Sequence, residues 1–99
     1  MMRPLTYEHK FPSSVGSMEL GQLKHFLAVI DAGSVGDAAR DLGMSQGAMS
    51  NSIRALEKSL NTSLFERSPR GMRLTPTGKA LEVRARIIAA EADVAADEI

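Results

Sequence analysis

Apolar residues recur at spacings of three and four between positions 19 and 60, and two glycines interrupt the pattern. This spacing places the apolar side chains on one side of a helix, so it favours short amphipathic helices over strands. A first helix is predicted over residues 19–32, with an apolar stripe formed by Leu20, Leu23, Phe26, Leu27 and Ile30. Gly33 is expected to end this helix, because glycine adopts the left-handed conformation at little cost.

Two more helices are predicted after the first. Ser34 lies three residues before Asp37, a variant of the capping box, and starts a helix over residues 35–42. The inward-facing residues of this helix are expected to be Ala38, Ala39 and Leu42. Gly43 closes it, and Ser45 caps a third helix. The stripe of the third helix is formed by Met49, Ile53, Leu56 and Leu60.

The segment SLFERSPRGMRLTPTG, residues 63–78, departs from the helical pattern. Short apolar pieces flank a turn made of Ser68, Pro69, Arg70 and Gly71. Proline and glycine favour turns, so a small hairpin with a basic tip is predicted here. Thr75 and Pro76 then mark the start of a helix, since threonine can cap and proline fits the first helical position.

The last helix is predicted over residues 76–97 and contains seven alanines. At about 1.5 Å per residue it extends some 30 Å, which is too long to bury its apolar side on so small a domain. We therefore expect it to pair with the same helix of a second copy, where small alanines permit close approach. The predicted dimerisation stripe is Leu81, Ala85, Ile88, Ala92 and Ala95.

Composition excludes several classes of protein. Twelve lysines and arginines balance 12 aspartates and glutamates, which argues against a polybasic binder. The absence of cysteine excludes disulfide frameworks, thiolate catalysis and thiolate metal sites. His9 and His25 have no second imidazole at ligand spacing, so no metal site is expected. The carboxylates are dispersed along helices without a cleft, so neither an enzyme nor a cofactor is predicted.

The 99 residues amount to about one domain. Residues 1–17 hold prolines, serines and glycine without an apolar period, and we expect a flexible leader there. Residues 18–75 are expected to form the folded domain and residues 76–99 the dimerisation helix. No apolar run approaches the roughly 18 residues of a membrane span, and a signal peptide is lacking, so a cytoplasmic protein without a membrane partner is expected.

The second and third predicted helices have the pattern of a helix-turn-helix. Its marks are Ala39, Gly43 and Met49. The small alanine lets the two helices cross closely, and the glycine permits the tight turn between them. The methionine packs the second helix against the core. Such a pair presents the amino-terminal part of its second helix to the DNA major groove.

Polar and basic residues are concentrated on the exposed side of this pair and in the hairpin. The outward residues of the third helix are Gln46, Gly47, Ser50, Asn51 and Arg54. Glutamine and asparagine suit adenine, because one amide offers a donor and an acceptor together. From Gly43 to Thr75 five positive charges face two negative ones, the positive residues being Arg54, Lys58, Arg67, Arg70 and Arg73. A local basic surface thus exists within a neutral chain.

In order and spacing, four segments of the chain resemble the amino-terminal domain of LysR-type transcriptional regulators. They are MELGQLKHFLAVIDAG, the helix pair with SQGAMS, the hairpin LFERSPRGMRLTPTG and the long alanine-rich helix. The resemblance covers residues 18–99. It implies a mainly α, winged helix-turn-helix domain that binds double-stranded DNA, and a linker helix that pairs two subunits. It also implies that a small-molecule inducer binds a separate carboxy-terminal domain.

The resemblance assigns DNA contacts to particular positions. In the third helix these are Gln46, Gly47, Ala48, Ser50 and Asn51, and elsewhere they are Ser34 and the hairpin residues Arg67 and Arg70. We add Ser45, Arg54 and Arg73 to the predicted set from their places at the helix start, on the outward face and in the hairpin. The family usually has proline at Gly47, arginine at Asn51 and an aromatic residue at Val35, so affinity and site preference are expected to differ from typical members.

Two functions remain open at this stage. A twofold dimer that reads DNA requires an interrupted inverted repeat with half-sites about one helical turn apart. The alternative is a stand-alone dimeric interaction module that titrates other regulators through its long helix. Arginines in the hairpin distinguish them, because a pure titrator has no need of Arg67 and Arg70.

Overall fold

Four helices and an antiparallel hairpin make up the part of the chain that the computed structural model describes, residues 18–69 and 71–99. They are α1 (Leu20–Ala32), α2 (Val35–Asp41), α3 (Gln46–Leu60), β1 (Phe65–Ser68), β2 (Gly71–Leu74) and α4 (Pro76–Glu98). This order confirms the predicted winged helix-turn-helix followed by a long helix. The predicted leader, residues 1–17, and Arg70 lie outside the described residues.

Side-chain caps define where three helices begin. Ser34 Oγ accepts a hydrogen bond from the Asp37 backbone N–H at 3.1 Å, and Ser45 Oγ accepts one from Ala48 at 3.1 Å. Thr75 Oγ1 accepts from the Gly78 N–H at 3.0 Å and so starts α4. Each cap satisfies a backbone donor that the first helical turn leaves without a partner. The predicted caps at Ser34, Ser45 and Thr75 are therefore confirmed.

The core lies where α1, α2, α3 and the base of the hairpin meet. Phe26, Met49 and Leu56 are completely buried there, and Leu64 joins them from the loop before β1. The Phe26 ring lies 5.4 Å from the Phe65 ring, centroid to centroid and tilted by 56°, so the hairpin is fixed to α1 through an aromatic contact. Complete burial of a side chain such as Phe26 stabilises the fold by about 1.5 to 3 kcal/mol.

Two residues predicted to face inward are exposed instead. Leu42 is 48% exposed, and Leu20 is 41% exposed. Leu42 follows the last helical residue of α2 as its C-cap, so the helical phase that places Ala38 and Ala39 inward does not extend to it. Leu20 begins α1, and no preceding helical turn covers its side chain.

The last helix runs antiparallel along α1. Arg86 Nη2 lies 2.8 Å from Asp31 Oδ1, and Lys24 Nζ lies 3.1 Å from Asp93 Oδ1. Next to Arg86, Ala85 is completely buried in the core. The first half of α4 therefore belongs to the same packed unit as α1, and a domain boundary at residues 75 and 76 stays a prediction.

Arg86 is the most strongly engaged of the described cations on α4. Its guanidinium donates to Asp31, and also to Glu82 Oε2 at 2.9 Å one turn earlier in the helix. These hydrogen bonds, that to Asp31 first and that to Glu82 second, raise the pKa of Arg86 above its ordinary value. Arg86 therefore stays charged and keeps its two carboxylate partners on α1 and α4 at neutral pH.

A carboxylate ties α3 to the hairpin. Glu57 Oε2 accepts a 2.7 Å hydrogen bond from the backbone N–H of Leu64, whose side chain is buried. Asn61, at the end of α3, takes the left-handed conformation with φ 53°, and this turns the chain toward Leu64. This hydrogen bond therefore helps to fix the position of the hairpin relative to α3.

We expect Glu57→Ala to lower the free energy of unfolding by about 1.5 to 3 kcal/mol, the range for a hydrogen bond to a charged group. Glu57→Gln retains a carbonyl oxygen that can accept from Leu64 and should lose clearly less. Urea unfolding followed by circular dichroism measures both values. Equal losses in the two variants would contradict a role for the acceptor itself.

Candidate nucleic-acid interface

The outward side of α3 is polar, and its inward side is apolar. Met49, Ile53 and Leu56 point into the core, one helical turn apart. The remaining positions of the first two turns lie at or near the surface: Gln46, Gly47, Ala48, Asn51 and Arg54 are exposed, and Ser50 is half-buried. The structure thus places all six predicted contact residues of α3 on one accessible side of the helix. Their contacts with DNA stay a prediction.

The two capping serines lie at the amino-terminal ends of α2 and α3. Ser45 is exposed and Ser34 is half-buried. In each cap the hydroxyl oxygen accepts from the backbone, so the cap does not use the hydroxyl hydrogen. Either hydroxyl can therefore donate to a phosphate oxygen without losing its cap.

Strand pairing places the hairpin arginines on different faces. Arg67 pairs with Met72, and Glu66 pairs with Arg73. Since successive residues of a strand point to opposite faces, Arg67 shares its face with Phe65, and Arg73 shares the other face with Glu66. Two of the predicted contact residues in the hairpin are therefore separated by the thickness of the sheet.

An open cleft of about 310 Å³ separates α3 from the hairpin. Its lining is Val35, Ser50, Ile53, Arg54, Glu57, Phe65, Arg67 and Met72. Arg54 contributes from α3 and Arg67 from β1, so one arginine of each element lines the same depression. The structure thus brings the hairpin arginine at position 67 together with the exposed side of α3.

The structure does not bring Arg73 to the same place. Its Nη2 lies 3.5 Å from Glu66 Oε1, and the two line a second depression with Leu74, Pro76 and Lys79. An exposed pair at this distance gains little energy, but the carboxylate reduces the net charge on this face. Within the described residues, Arg54, Lys58 and Arg67 have no carboxylate within 4.0 Å. Of the described hairpin arginines, Arg67 is therefore the one that faces α3 with no carboxylate within 4.0 Å.

One side-chain contact on the exposed face of α3 was missed by sequence reasoning. Arg54 Nη2 donates a 2.6 Å hydrogen bond to Asn51 Oδ1. The two residues are three positions apart, one turn along the helix, which is the spacing at which helical side chains meet. Asn51 and Arg54 are therefore neighbours that share a hydrogen bond.

The structure divides the predicted dimerisation stripe on α4 between its own core and the surface, and pairing through this stripe stays a prediction. Ala85 is completely buried against its own domain, and Leu81 packs against the same core. Ala92 is half-buried, whereas Ile88 and Ala95 are exposed. The buried part of the stripe lies on the side of α4 that covers α1, since the small Ala85 permits the two helices to approach. Ala85 has no surface left for a second copy.

A second apolar side of α4 is exposed. Its residues, at alternating spacings of three and four, are Ala80, Val83, Ile87, Ala90 and Val94. Val83 is 61% exposed and Ile87 53% exposed. On a helix with 3.6 residues per turn this stripe lies opposite Ala85. Both apolar stripes of α4 have a helical spacing that is visible in the sequence. Only the packing of α4 against α1 shows which of the two stripes stays exposed.

Metal and membrane sites find no support in the described part of the chain. Among residues 18–69 and 71–99 no three side chains of the metal-binding types are grouped for a metal ion. His25 Nδ1 lies 2.7 Å from Ser52 Oγ, so this imidazole connects α1 to α3. His9 lies outside the described residues. Of the described helices, none combines the length and the apolar character that crossing a membrane requires.

Solved structures of similar chains include complexes with DNA. The DNA-binding domain of CbnR, solved as a DNA complex, matches with a TM-score of 0.76 and 42% identity over 82% of this chain and 93% of that one. The DNA-binding domain of BenM, solved with catB site 1 DNA, matches with a TM-score of 0.78 and 32% identity over 82% of this chain and 91% of that one.

Sequence comparison agrees with the structural likeness. The regulator TfdS of Cupriavidus pinatubonensis is 49% identical over 69 residues, which are 70% of this chain and 23% of that protein. The chain thus spans about a quarter of the length of the curated relatives it matches. Residues 20–79 match the model of the bacterial regulatory helix-turn-helix proteins of the lysR family. The chain therefore belongs to the LysR family of bacterial regulatory helix-turn-helix proteins.

Proposed function

We propose that the chain binds double-stranded DNA in a sequence-specific manner and is the DNA-binding part of a bacterial transcriptional regulator. The observation that carries the proposal is the exposed side of α3, where Gln46, Ser50 and Asn51 lie in the first two turns and no acidic residue accompanies them. An α-helix fits the major groove, where base edges are read by such side chains. Family membership and the DNA complexes of similar domains support it.

The charge around α3 suits the phosphate backbone. Arg54 of α3 and Arg67 of β1 line the same cleft, and neither has a carboxylate within 4.0 Å in the described part of the chain. Phosphate contacts supply affinity and fix the register of a protein on the duplex, whereas base contacts supply specificity. We assign Ser34, Ser45, Arg54 and Arg67 chiefly to the first role and Gln46 to the second.

The proposal includes a homodimer. The apolar side of α4 formed by Ala80, Val83, Ile87, Ala90 and Val94 is exposed in a single copy, and a second α4 would cover it. Twofold pairing places two recognition helices in successive major grooves, so the expected operator is an interrupted inverted repeat. Binding of chromosomal DNA also places the protein in the cytoplasm. In this proposal a small-molecule inducer is sensed by a separate domain.

Two alanine variants test the division of roles. Gln46→Ala should relax discrimination at particular base pairs by about 1 to 3 kcal/mol while binding to unrelated DNA changes little. Arg67→Ala should weaken binding to all sequences to a similar degree and make the salt dependence of binding shallower, since one phosphate contact is lost. Titrations of cognate and scrambled duplexes at several salt concentrations measure both effects.

Equal losses on cognate and scrambled DNA for Gln46→Ala would contradict its reading role. A chain that binds no DNA but forms complexes with other regulators would contradict the proposal. That result would support the alternative, a dimeric interaction module that titrates other regulators. Loss of DNA binding in Arg67→Ala with intact dimers would count against that alternative.

A further inference from the structure

The proposed DNA-binding surface contains a carboxylate. Glu57 of α3 lines the cleft between α3 and the hairpin, together with Arg54 and Arg67. Residues 43–75 contain one other acidic residue, Glu66. A carboxylate repels the phosphate backbone of DNA, so by its charge alone Glu57 lowers the affinity of this surface. What the side chain contributes in return is a contact with the hairpin.

The Glu57 side chain binds the backbone of the hairpin rather than an arginine. None of the cations in residues 18–69 and 71–99 lies within 4.0 Å of its carboxylate. Its Oε2 accepts a 2.7 Å hydrogen bond from the N–H of Leu64, the residue before β1. The carbonyl oxygen of Leu64 accepts one of 3.0 Å from the N–H of Thr75, the residue after β2. Leu64 is thus held at both of its backbone groups.

Arg67 is carried by the strand that begins directly after Leu64. It lies three residues further along the chain and lines the cleft that α3 shares with the hairpin. Because β1 is paired with β2 along its whole length, a displacement of the backbone at Leu64 is passed on to Arg67. An arginine gains most from a phosphate when its position is fixed in advance, since less freedom is lost on binding.

We propose that Glu57 is a positioning residue for DNA binding, which strengthens the binding although its charge opposes it. By holding the backbone of Leu64, the carboxylate helps to fix Arg67 relative to α3, so that both contact one duplex. The inference rests on the proposed function, since it gives Glu57 a part in the same DNA-binding surface. It differs from a purely structural role, because the effect of Glu57 has to pass through Arg67.

Two substitutions with the same change of charge separate the hydrogen bond from the charge. Glu57→Gln keeps a carbonyl oxygen that can accept from Leu64, whereas Glu57→Ala does not. We expect Glu57→Gln to bind DNA at least as tightly as the original chain, because a negative charge is removed. Glu57→Ala should bind about 3- to 10-fold more weakly, although the same charge is removed. Fluorescence anisotropy with a duplex selected by the original chain from a random pool measures both affinities.

A double-mutant cycle tests whether Glu57 acts through Arg67. In a chain that already carries Arg67→Ala, adding Glu57→Ala should change the affinity by less than about 2-fold, because the contact that Glu57 positions is no longer made. Val29→Ala is the control for a loss of stability, since Val29 is buried in α1 and its truncation leaves a cavity in the core. This variant should bind DNA within about 2-fold of the original affinity.

An equal loss from Glu57→Ala with and without Arg67 would overturn the inference. A Glu57→Ala protein that binds as tightly as Glu57→Gln would overturn it as well, and so would a similar loss in Val29→Ala, which would assign the effect to stability. In each of these cases the original chain still binds DNA, so the proposed function stands. A folded original chain that binds no duplex contradicts the proposed function itself, and the role of Glu57 fails with it.

Discussion

Replacing Gly78 with alanine is expected to lower the free energy of unfolding by about 3 kcal/mol or more, because the new methyl group has no room. A Cβ at this position would overlap the carbonyl oxygen of Leu64 and lie 2.9 Å from Leu74 Cδ2. The obstacle is backbone rather than a flexible side chain. The same carbonyl accepts a 3.0 Å hydrogen bond from Thr75, so Leu64 cannot move away cheaply.

The effect of Gly78→Ala is large relative to the total stability of a domain, which is about 5 to 15 kcal/mol. Gly21→Ala provides the matched control, since Gly21 lies in α1 with no atom within 4 Å of an added Cβ. That variant should become more stable by about 0.5 to 1 kcal/mol, the difference between alanine and glycine in a helix. Urea unfolding measures both, and a Gly78→Ala protein as stable as the original would contradict the close approach.

Ile87→Glu is expected to convert the proposed dimer to monomers. The substitution puts a charge in the middle of the exposed apolar side of α4, where a second copy would have to bury it. Operator affinity should fall by about 100-fold or more, because the two recognition helices no longer bind as one linked pair. Sedimentation equilibrium measures the mass, and operator titration measures the affinity.

Leu42→Glu is the control for Ile87→Glu in the mass measurement. It also introduces a glutamate at a large exposed apolar residue, but at the C-terminus of α2 rather than on α4. This variant should remain dimeric. An Ile87→Glu protein with the mass of a dimer would show that α4 does not pair through this side.

Local signals in the sequence predicted the elements of the fold correctly. Ser34, Ser45 and Thr75 each cap the helix expected of them, and Gly33 takes the left-handed conformation with φ 88°. These features depend on the chemistry of residues close in the chain, so spacing is enough to find them. The hairpin was predicted in the same way, from the turn residues between its two strands.

Contacts between distant parts of the chain were not predictable by spacing alone. The two apolar stripes of α4 have similar periodicity, and the choice between them depends on the antiparallel packing of Ala85 against α1. Likewise, the separation of Arg67 from Arg73 depends on the register of β1 with β2. Register and helix pairing are tertiary properties, so the sequence pattern left them open.

The candidate site was predicted at the level of residues but not of their interactions. Gln46, Asn51 and Arg54 lie on the exposed side of α3 as expected. The hydrogen bond from Arg54 to Asn51 was overlooked, although a spacing of three on a helix indicates that the side chains can meet. Considering each polar side chain separately therefore missed this contact.

Selection of bound duplexes from a random pool by the unmodified chain, at moderate salt, tests the central claim most directly. We predict enrichment of an interrupted inverted repeat with half-sites about one helical turn apart, since two α3 helices of a twofold dimer reach successive major grooves. A folded, dimeric protein that enriches no sequence would contradict sequence-specific recognition by this domain.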